Sequence, residues 1–473
     1  MKTSRLIVIT ALSLCFTNLN AQIPSSVSNI RDWSQDMAMK ITGPFTFAAV
    51  GDVIITRPAN EFQDSGLQAA LSILRDADVG FGNFESTIRD QQNFAGPLGG
   101  SMNGTKEVAA DLKAMGFDLV NRAGNHLMDS DEEGMFEMTR LMEEAGLIYA
   151  GIGRNLDEAR APRFVEISKG RVGLVGMYGQ TGNGRRGLAA TYQDGIRGGR
   201  AGLNSLRVTR TIIVRPEDLD AMKLAKDAVY SRRLEVSNPV NRPASEPDGI
   251  VNLFGELYQA GDKPGDLHYS MNISDLEENL RSIRNGKQYA DFMIATIHAH
   301  QGDTLLQPFL FEDSPPDFLI ELAHSSIDSG ADAFVGHGPH LLRGIEIYNG
   351  KPIFYNLGEF FREWDWNCDC DYSPDGQLTQ AESVVLNHDN RGVDEPINYE
   401  SVLALSQFDE GELKEIHLYP IWARQDAPLS RRGLPMIAPP EIAQRILRRM
   451  QELSDPFGTT IEIENNVGVI RVD

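Results

Sequence analysis

The chain has 473 residues, with 44 Lys+Arg against 67 Asp+Glu, a formal net charge of -23 and three cysteines. So acidic a protein repels nucleic acid, and so few cysteines cannot build a disulfide framework. The length would allow two or three domains, but no Pro/Ser linker divides the alternating strand and helix patterns, so one large α/β domain with additions is expected.

At the N-terminus Lys2 and Arg5 precede an apolar run from Leu6 to Phe16, and Asn20-Ala21-Gln22 offers a small residue for cleavage. This pattern predicts a cleavable secretory signal over residues 1–21, too short to span a bilayer, and a periplasmic or secreted product. Leu14 before Cys15 argues against a lipid anchor. An uncleaved N-terminal anchor is the alternative. Cys368 and Cys370 then remain in an acidic loop with Trp364 and Trp366, as an incidental pair, a strained bridge or a surface metal nip.

Apolar runs that suit buried strands are Phe45 to Val50, Val79 to Gly82, Leu119 to Val120, Val172 to Tyr178, Phe292 to Ile297 and Ala333 to Val335. Helical spacing runs between them over Leu67 to Leu74, Val108 to Met115, Met135 to Met142 and Phe318 to Ile327. Such alternation implies a largely parallel sheet whose ligands gather at the carboxyl ends of the strands. Residues 180–290 break the rhythm with a Gly- and Arg-rich stretch and Pro239, Pro243 and Pro247, and are expected to form an insertion that roofs the site. The main domain is expected to span 44–365. A C-terminal extension over 366–473 follows, with a strand from Val402 to Gln407 and a helix presenting Ile442, Ile446, Met450 and Leu453 on one face, packed back on that domain.

Five of these strand ends carry a group of metal-ligand type. Asp52 follows the first run, Glu85 the second, Asn125 and His126 the third, His298 and His300 the fifth, and His337 and His340 the sixth. Carboxylate, amide oxygen and imidazole together suit divalent Mn, Fe, Zn or Mg, and no thiolate points to a structural zinc knot. The surplus of ligands suggests two ions about 3.5–4 Å apart with a shared carboxylate. His126 is then free to act as acid or base, with Asp129 to orient its ring. His268, His324, His388 and His417 read as structural or surface residues. Arg185, Arg186, Arg197, Arg200, Arg207, Arg210 and Arg215 form a basic island that either binds an anion or balances an acidic surface.

These motifs carry a resemblance. Gly51-Asp52, Gly82-Asn83-Phe84-Glu85, Gly124-Asn125-His126 with Asp129, Gly202-Leu203-Asn204-Ser205-Leu206-Arg207 and Gly336-His337-Gly338-Pro339-His340 resemble the bacterial capsule-synthesis family CapA of poly-gamma-glutamate synthesis, within the calcineurin-like metallophosphoesterase superfamily. The likeness continues through Gly344 to Tyr355 and Leu453 to Thr459. It implies a four-layer α-β-β-α sandwich with divalent metals at one edge of the sheets. Asp52, Glu85, Asn125, His298, His337 and His340 fall on its ligand positions and His126 on its catalytic imidazole. Asn204, Arg207 and His300 are the candidate substrate contacts. Three departures stand out: His298-Ala299-His300 where members carry His-Trp-Gly, Glu85 at a position usually Asp, and Glu359 in place of an Asn, which would add a carboxylate near the cleft.

The leading expectation is a metal-dependent hydrolase or transferase acting on an anionic envelope polymer or a small anionic precursor. One alternative is a non-catalytic partner of membrane-bound capsule synthesis or export components that holds polymer. Metal-free acid/base chemistry at an acidic Cα, with His126 or His300 carrying protons, is the other.

Overall fold

The computed structural model describes residues 38–97, 102–181, 188–193, 195–196, 198–234, 249–302, 312–363, 395–428 and 430–472. The expected signal over 1–21, Arg185, Arg186 and Arg197, Pro239, Pro243 and Pro247, the Cys368–Cys370 loop and His388 lie outside them.

All six apolar runs are strands. In chain order the principal elements are β1 (Pro44–Ile54), α1 (Ser65–Asp76), β2 (Val79–Phe84), α2 (Glu107–Met115), β3 (Leu119–Asn121), α3 (Asp131–Ala145), β4 (Gly170–Thr181) and β5 (Ser205–Val214). They continue with α4 (Ile273–Lys287), β6 (Phe292–His298), α5 (Asp317–Asp328), β7 (Ala333–His337), β8 (Lys351–Phe354), β9 (Glu359–Arg362), β10 (Glu400–Asp409), β11 (Glu412–Trp422) and α6 (Pro440–Ser454).

Period-two alternation sorts the side chains into layers. Along β1, Phe45, Phe47 and Ala49 face one apolar core while Ala48 and Val50 face another. The second of these cores holds Leu67 and Leu71 of α1, Leu112 of α2 and Met138 of α3. The first is shared with the other sheet, through Leu174 of β4, Ile294 of β6 and Val335 of β7. Phe292 packs 5.0 Å from Phe45 and 5.5 Å from Phe47, ring centre to ring centre, across that inter-sheet layer. Opposite faces of β6 and β7 give Met293, Ala295, Ile297 and Phe334 to a third core with Ile283 of α4 and Leu319, Leu322 and Ala323 of α5. The order is helices, sheet, sheet, helices: the four-layer α-β-β-α sandwich. Each buried Phe or Leu contributes roughly 1.5–3 kcal/mol.

The first sheet runs β11-β10-β1-β2-β3 through its centre, and β9 also pairs with β1. The second runs β5-β4-β6-β7-β8, with every neighbouring pair parallel. Two sequence expectations change here. Residues 202–290 do not roof a cleft in their described part: β5 extends the second sheet beside β4, a hairpin of Ile250–Leu253 and Glu256–Ala260 continues that edge, and α4 covers it. The physical reason lies in the alternation of β5, where Leu206 and Val208 are buried and Arg207 and Thr209 are exposed. A strand of this kind, with arginines and threonines on its exposed face, reads as polar loop. Beyond residue 395 the chain also does more than pack back. β10 lies antiparallel to β1 from Pro44↔Asp409 to Ala49↔Ala404, so β1 is an interior strand only once the C-terminal part has folded. Helix α6 buries Ala443, Ile446, Leu447 and Met450 in the inter-sheet core.

Candidate metal centre

Strand register aligns the site. In the first sheet Asp52 stands opposite Asn83 on one side and Glu359 on the other, and Asn83 stands opposite Asn121. The second sheet sets Tyr178, His298 and His337 in one row. Both rows sit at the carboxyl ends of parallel strands, where the backbone opens and side chains from two sheets can meet. Glycines permit the close passages. A Cβ on Gly51 would fall 1.8 Å from the Gly358 carbonyl oxygen, beside the 2.9 Å bond from the Asp52 amide to that oxygen. Gly338 has φ +114°, which lets the turn between His337 and His340 reverse.

Asp52 is fully buried. Its Oδ1 accepts from Asn83 Nδ2 at 2.8 Å and lies 3.6 Å from His337 Nδ1; its Oδ2 accepts from the Gly338 amide at 3.3 Å and lies 3.3 Å from His340 Nδ1. Asn121 Nδ2 donates to Asn83 Oδ1 at 2.8 Å, so an amide chain fixes the carboxylate from behind. Asn83 Nδ2 also lies 3.0 Å from His298 Nδ1. That ring turns its Nε2 toward Glu85 Oε1 at 3.7 Å and His300 Nε2 at 2.7 Å. His340 Nε2 is 3.9 Å from the same Glu85 oxygen, and its Nδ1 is 2.9 Å from Glu359 Oε1. Glu359, buried in turn, is held through its other oxygen by Arg362, whose guanidinium lies over the Tyr399 ring.

The protein leaves several of these groups unbonded. Both oxygens of Glu85, both nitrogens of His337 and Oδ1 of Asn125 are buried with no hydrogen-bond partner. Buried polar atoms are nearly always partnered, and orphaned carboxylate and imidazole atoms beside Asp52 and His298 form a donor set that fits a divalent cation. Two overlapping groups bring ligand atoms within 4.8 Å of one another: Asp52, Glu85 and His298, and Glu85, His300 and His340. Glu85 belongs to both.

Electrostatics follow from burial. Desolvation would push Asp52 up, but His340, His337 and His298 outweigh it and hold the carboxyl at about 2. Burial pushes Glu85 well above the usual carboxylate range. It also drives His298 down to about 3, His337 down to about 4 and His300 well below the ordinary value. For His340 burial is outweighed by Glu85, Glu359 and Asp52, which hold the ring charged.

His126 stands at the side of this cluster, close enough to disfavour charge on His298 and His300. Its Nδ1 is 2.7 Å from Asp129 Oδ2, and the ring keeps 18% of its surface in solvent. The structure thus brings together Asp52, Glu85, His298, His300, His337 and His340, with the His126–Asp129 pair alongside. His300, read as a substrate contact, stands among the ligand-type groups. Asn204 and Arg207 do not join them. The Asn204 amide donates to the Gly176 carbonyl at 2.8 Å and to Asn279 Oδ1 at 2.7 Å, and Arg207 pairs with Asp275 at 2.6 Å. Arg210 pairs with Glu256 and Arg215 with Asp218, so these members of the basic island are already neutralised. His324 bonds Glu346 and stacks on Tyr348, His268 pairs with Asp317 and His417 with Glu415, all apart from the cluster.

Comparison with known proteins fits this geometry. Residues 46–363 match the family described as bacterial capsule synthesis protein PGA_cap. The chain belongs to that family. Two proteins of Sinorhizobium fredii, y4sH and y4uA, both described as uncharacterized, are each 38% identical over 93% of this chain and 96% of their own length. The PGA biosynthesis protein CapA of Bacillus subtilis is 24% identical over 67% of this chain, and the match spans 63% of CapA. The capsule biosynthesis protein CapA of Bacillus anthracis is 22% identical over 68% of the chain and 60% of its own length. The PGA_cap match begins at β1 and ends at Glu363, so it takes in every strand that carries a site residue.

Sequence reading passed over Asn121 and Arg122, and Asn83 except as part of a motif. Arg122 is wholly buried, its Nη1 donating to the carbonyls of Phe84 and Ser86. No local signal marks these three. The nearest is the Asn that precedes a ligand-type turn in both Gly82-Asn83 and Val120-Asn121.

Proposed function

We propose that this PGA_cap protein is a secreted, divalent-metal-dependent hydrolase or transferase that acts on an anionic envelope polymer or its precursor. The observation that carries the reading is the buried cluster of carboxylates and imidazoles whose orphaned atoms face one another beside the His126–Asp129 pair. Asp52, Glu85, His298 and His337 would hold one cation and Glu85, His300 and His340 a second, with Asn125 as a further oxygen donor. A cation there would supply Lewis acidity to an amide or phosphoester oxygen and to water.

The remaining work falls to the chain's own side chains. Asn83, held by Asn121, keeps Asp52 turned toward the histidines. Asp129 takes the Nδ1 side of His126 and so presents Nε2 to the cleft, as proton donor to a leaving group or acceptor from an attacking one. A protein that only holds polymer has little need for this oriented, partly exposed imidazole beside the cluster. The names of the Bacillus relatives support a substrate of the envelope-polymer class, met in the periplasm or outside the cell.

The test is elemental mass spectrometry on the purified chain without residues 1–21, beside Asp52→Asn and His337→Ala. The reading expects bound divalent metal in the wild type that both variants lose, and then turnover of an amide or phosphoester library that His126→Ala abolishes. A folded wild type that stays metal-free after incubation with Mn or Zn would overturn it. Retention of the capsule phenotype by His126→Ala would transfer the role to polymer holding.

A further inference from the structure

Arg122 is fully buried and bonds the backbone on both sides of a candidate ligand. It directly follows β3, its own amide donates to the Ala150 carbonyl at 3.0 Å, and none of its surface reaches solvent. The guanidinium carbon lies 5.2 Å from the centre of the Phe84 ring. Nη1 donates to the carbonyl oxygen of Phe84 and, at 3.1 Å, to that of Ser86. Those carbonyls flank Glu85. The guanidinium therefore grips the main chain on both sides of the residue and does not bond its carboxylate, although Glu85 is close enough to favour the charge on Arg122.

Burying a guanidinium is costly, and a packed apolar side chain of the same volume usually stabilises a core at least as well. Here Nε and Nη2 find no hydrogen-bond partner, which adds to the cost. A purely structural arginine would be expected to spend its donors on the nearest carboxylate. This one leaves both Glu85 oxygens unbonded and fixes the peptide that carries them. It is also close enough to Asp129, the residue that orients His126, for that carboxylate to favour its charge.

We infer that Arg122 is a positioning residue of the metal centre: by bridging the Phe84 and Ser86 carbonyls it holds Glu85 with both carboxylate oxygens turned to the cations. The inference rests on the metal-centre reading above. Lysine cannot reproduce it, because an ammonium is a compact point charge without the planar fork of a guanidinium. Loss of a residue that orients a ligand typically weakens metal binding by about 10- to 100-fold.

Zn competition against a chromophoric chelator would measure the affinity of the wild type, Arg122→Met, Arg122→Lys, Glu85→Gln and the double variant Glu85→Gln/Arg122→Met, with circular dichroism to confirm folding. Arg122→Met should bind about 10- to 100-fold more weakly, Arg122→Lys should fall between it and the wild type, and Arg122→Met should cost nothing further once Glu85 is Gln. A general structural role predicts the opposite: independent losses that multiply in the double variant, or a lower melting temperature at unchanged Zn affinity. Should Arg122→Met fail to fold, Arg122→Lys decides, since wild-type affinity in that variant would overturn the inference. A wild type that binds no Zn sinks the metal-centre reading itself. Binding by the wild type with no change in Arg122→Met sinks only the role of Arg122.

Discussion

Two polar clusters in this protein put buried Asp and Asn side chains to opposite ends. Around Asp275 every charge is answered: Arg160 reaches Asn204 at 3.2 Å, the Tyr192 hydroxyl at 2.6 Å and Asp275 at 2.8 Å, while Arg207 holds both Asp275 oxygens at 2.6 and 3.0 Å. Asn279 closes the ring by donating to the Asp275 carbonyl at 2.8 Å. Around Asp52 the second sheet brings His337, whose two nitrogens are unbonded, and Glu85 accepts no hydrogen bond. Saturation marks scaffold, and orphaned ligand-type atoms mark a site. The buried Asp and Asn side chains that the two share would not by themselves separate them.

The comparison breaks most visibly if a saturated cluster is cut. Asp275→Ala leaves Arg160 buried and unpaired, so a loss of roughly 3–5 kcal/mol is expected in urea unfolding, with metal content unchanged in whatever fraction stays folded. The orphan-rich cluster should behave in reverse. Adding Zn at about 100 times its dissociation constant should stabilise the wild type by about 2.7 kcal/mol, and His337→Ala should abolish that gain. Equal stabilisation of both proteins would mean that the cation binds elsewhere.

Acid gives an independent reading of the same cluster in metal-free protein. Burial holds His298, His300 and His337 neutral, whereas an unfolded chain protonates each near 6.5. Glu85 acts oppositely, since burial keeps a proton on it above the ordinary 4.5. Between those values the unfolded state binds more protons than the folded one, three imidazoles against one carboxyl, so stability rises with pH through this window; above it His340, held charged in the folded state, turns the slope downward. Urea midpoints at about pH 5 and pH 7 should show the difference, and bound Zn should flatten it because the ion competes with protons for the same nitrogens. A midpoint that is flat without metal would contradict the burial argument.

How much of this was legible in the sequence depended on the kind of burial. Strands buried on both faces, such as Phe292 to Ile297, announce themselves as apolar runs, and the groups that end them could be counted before any fold was known. Strand β5 could not be, because its arginines alternate with leucine and valine and look like loop. Asp52, Glu85 and the histidines were readable because glycine turns punctuate them. Arg122, Asn83 and Asn121 were not, because their roles exist only through register: Asn83 meets Asp52 because β2 pairs with β1, and Arg122 reaches the Glu85 peptide because β3 pairs with β2. Asn204 and Arg207 erred the other way, conspicuous in a motif yet used to tie β5 to α4.

Glu359 belongs to both kinds of cluster and gives the finest test. One of its oxygens is held by Arg362, as in the saturated cluster, and the other faces His340 Nδ1 at 2.9 Å, as in the site. In Glu359→Gln an amide of nearly the same shape keeps an acceptor but removes a charge, so Arg362 loses its counter-ion and His340 loses one of the groups that hold it charged. If the Arg362 side dominates, the variant should lose roughly 1 kcal/mol of stability and keep its Zn affinity. Should the His340 side dominate, metal-free stability will barely move. Zn affinity will then shift a few-fold, and the shift will vanish in a His340→Ala background because the carboxylate acts through that ring. The paired orientation of Arg362, whose guanidinium lies over Tyr399 and whose backbone amide donates to the Gly433 carbonyl at 2.9 Å, makes the first outcome the expected one. A rigid guanidinium anchors the carboxylate whether or not His340 is there, and that anchoring would keep a third acid beside the cluster from rotating into it.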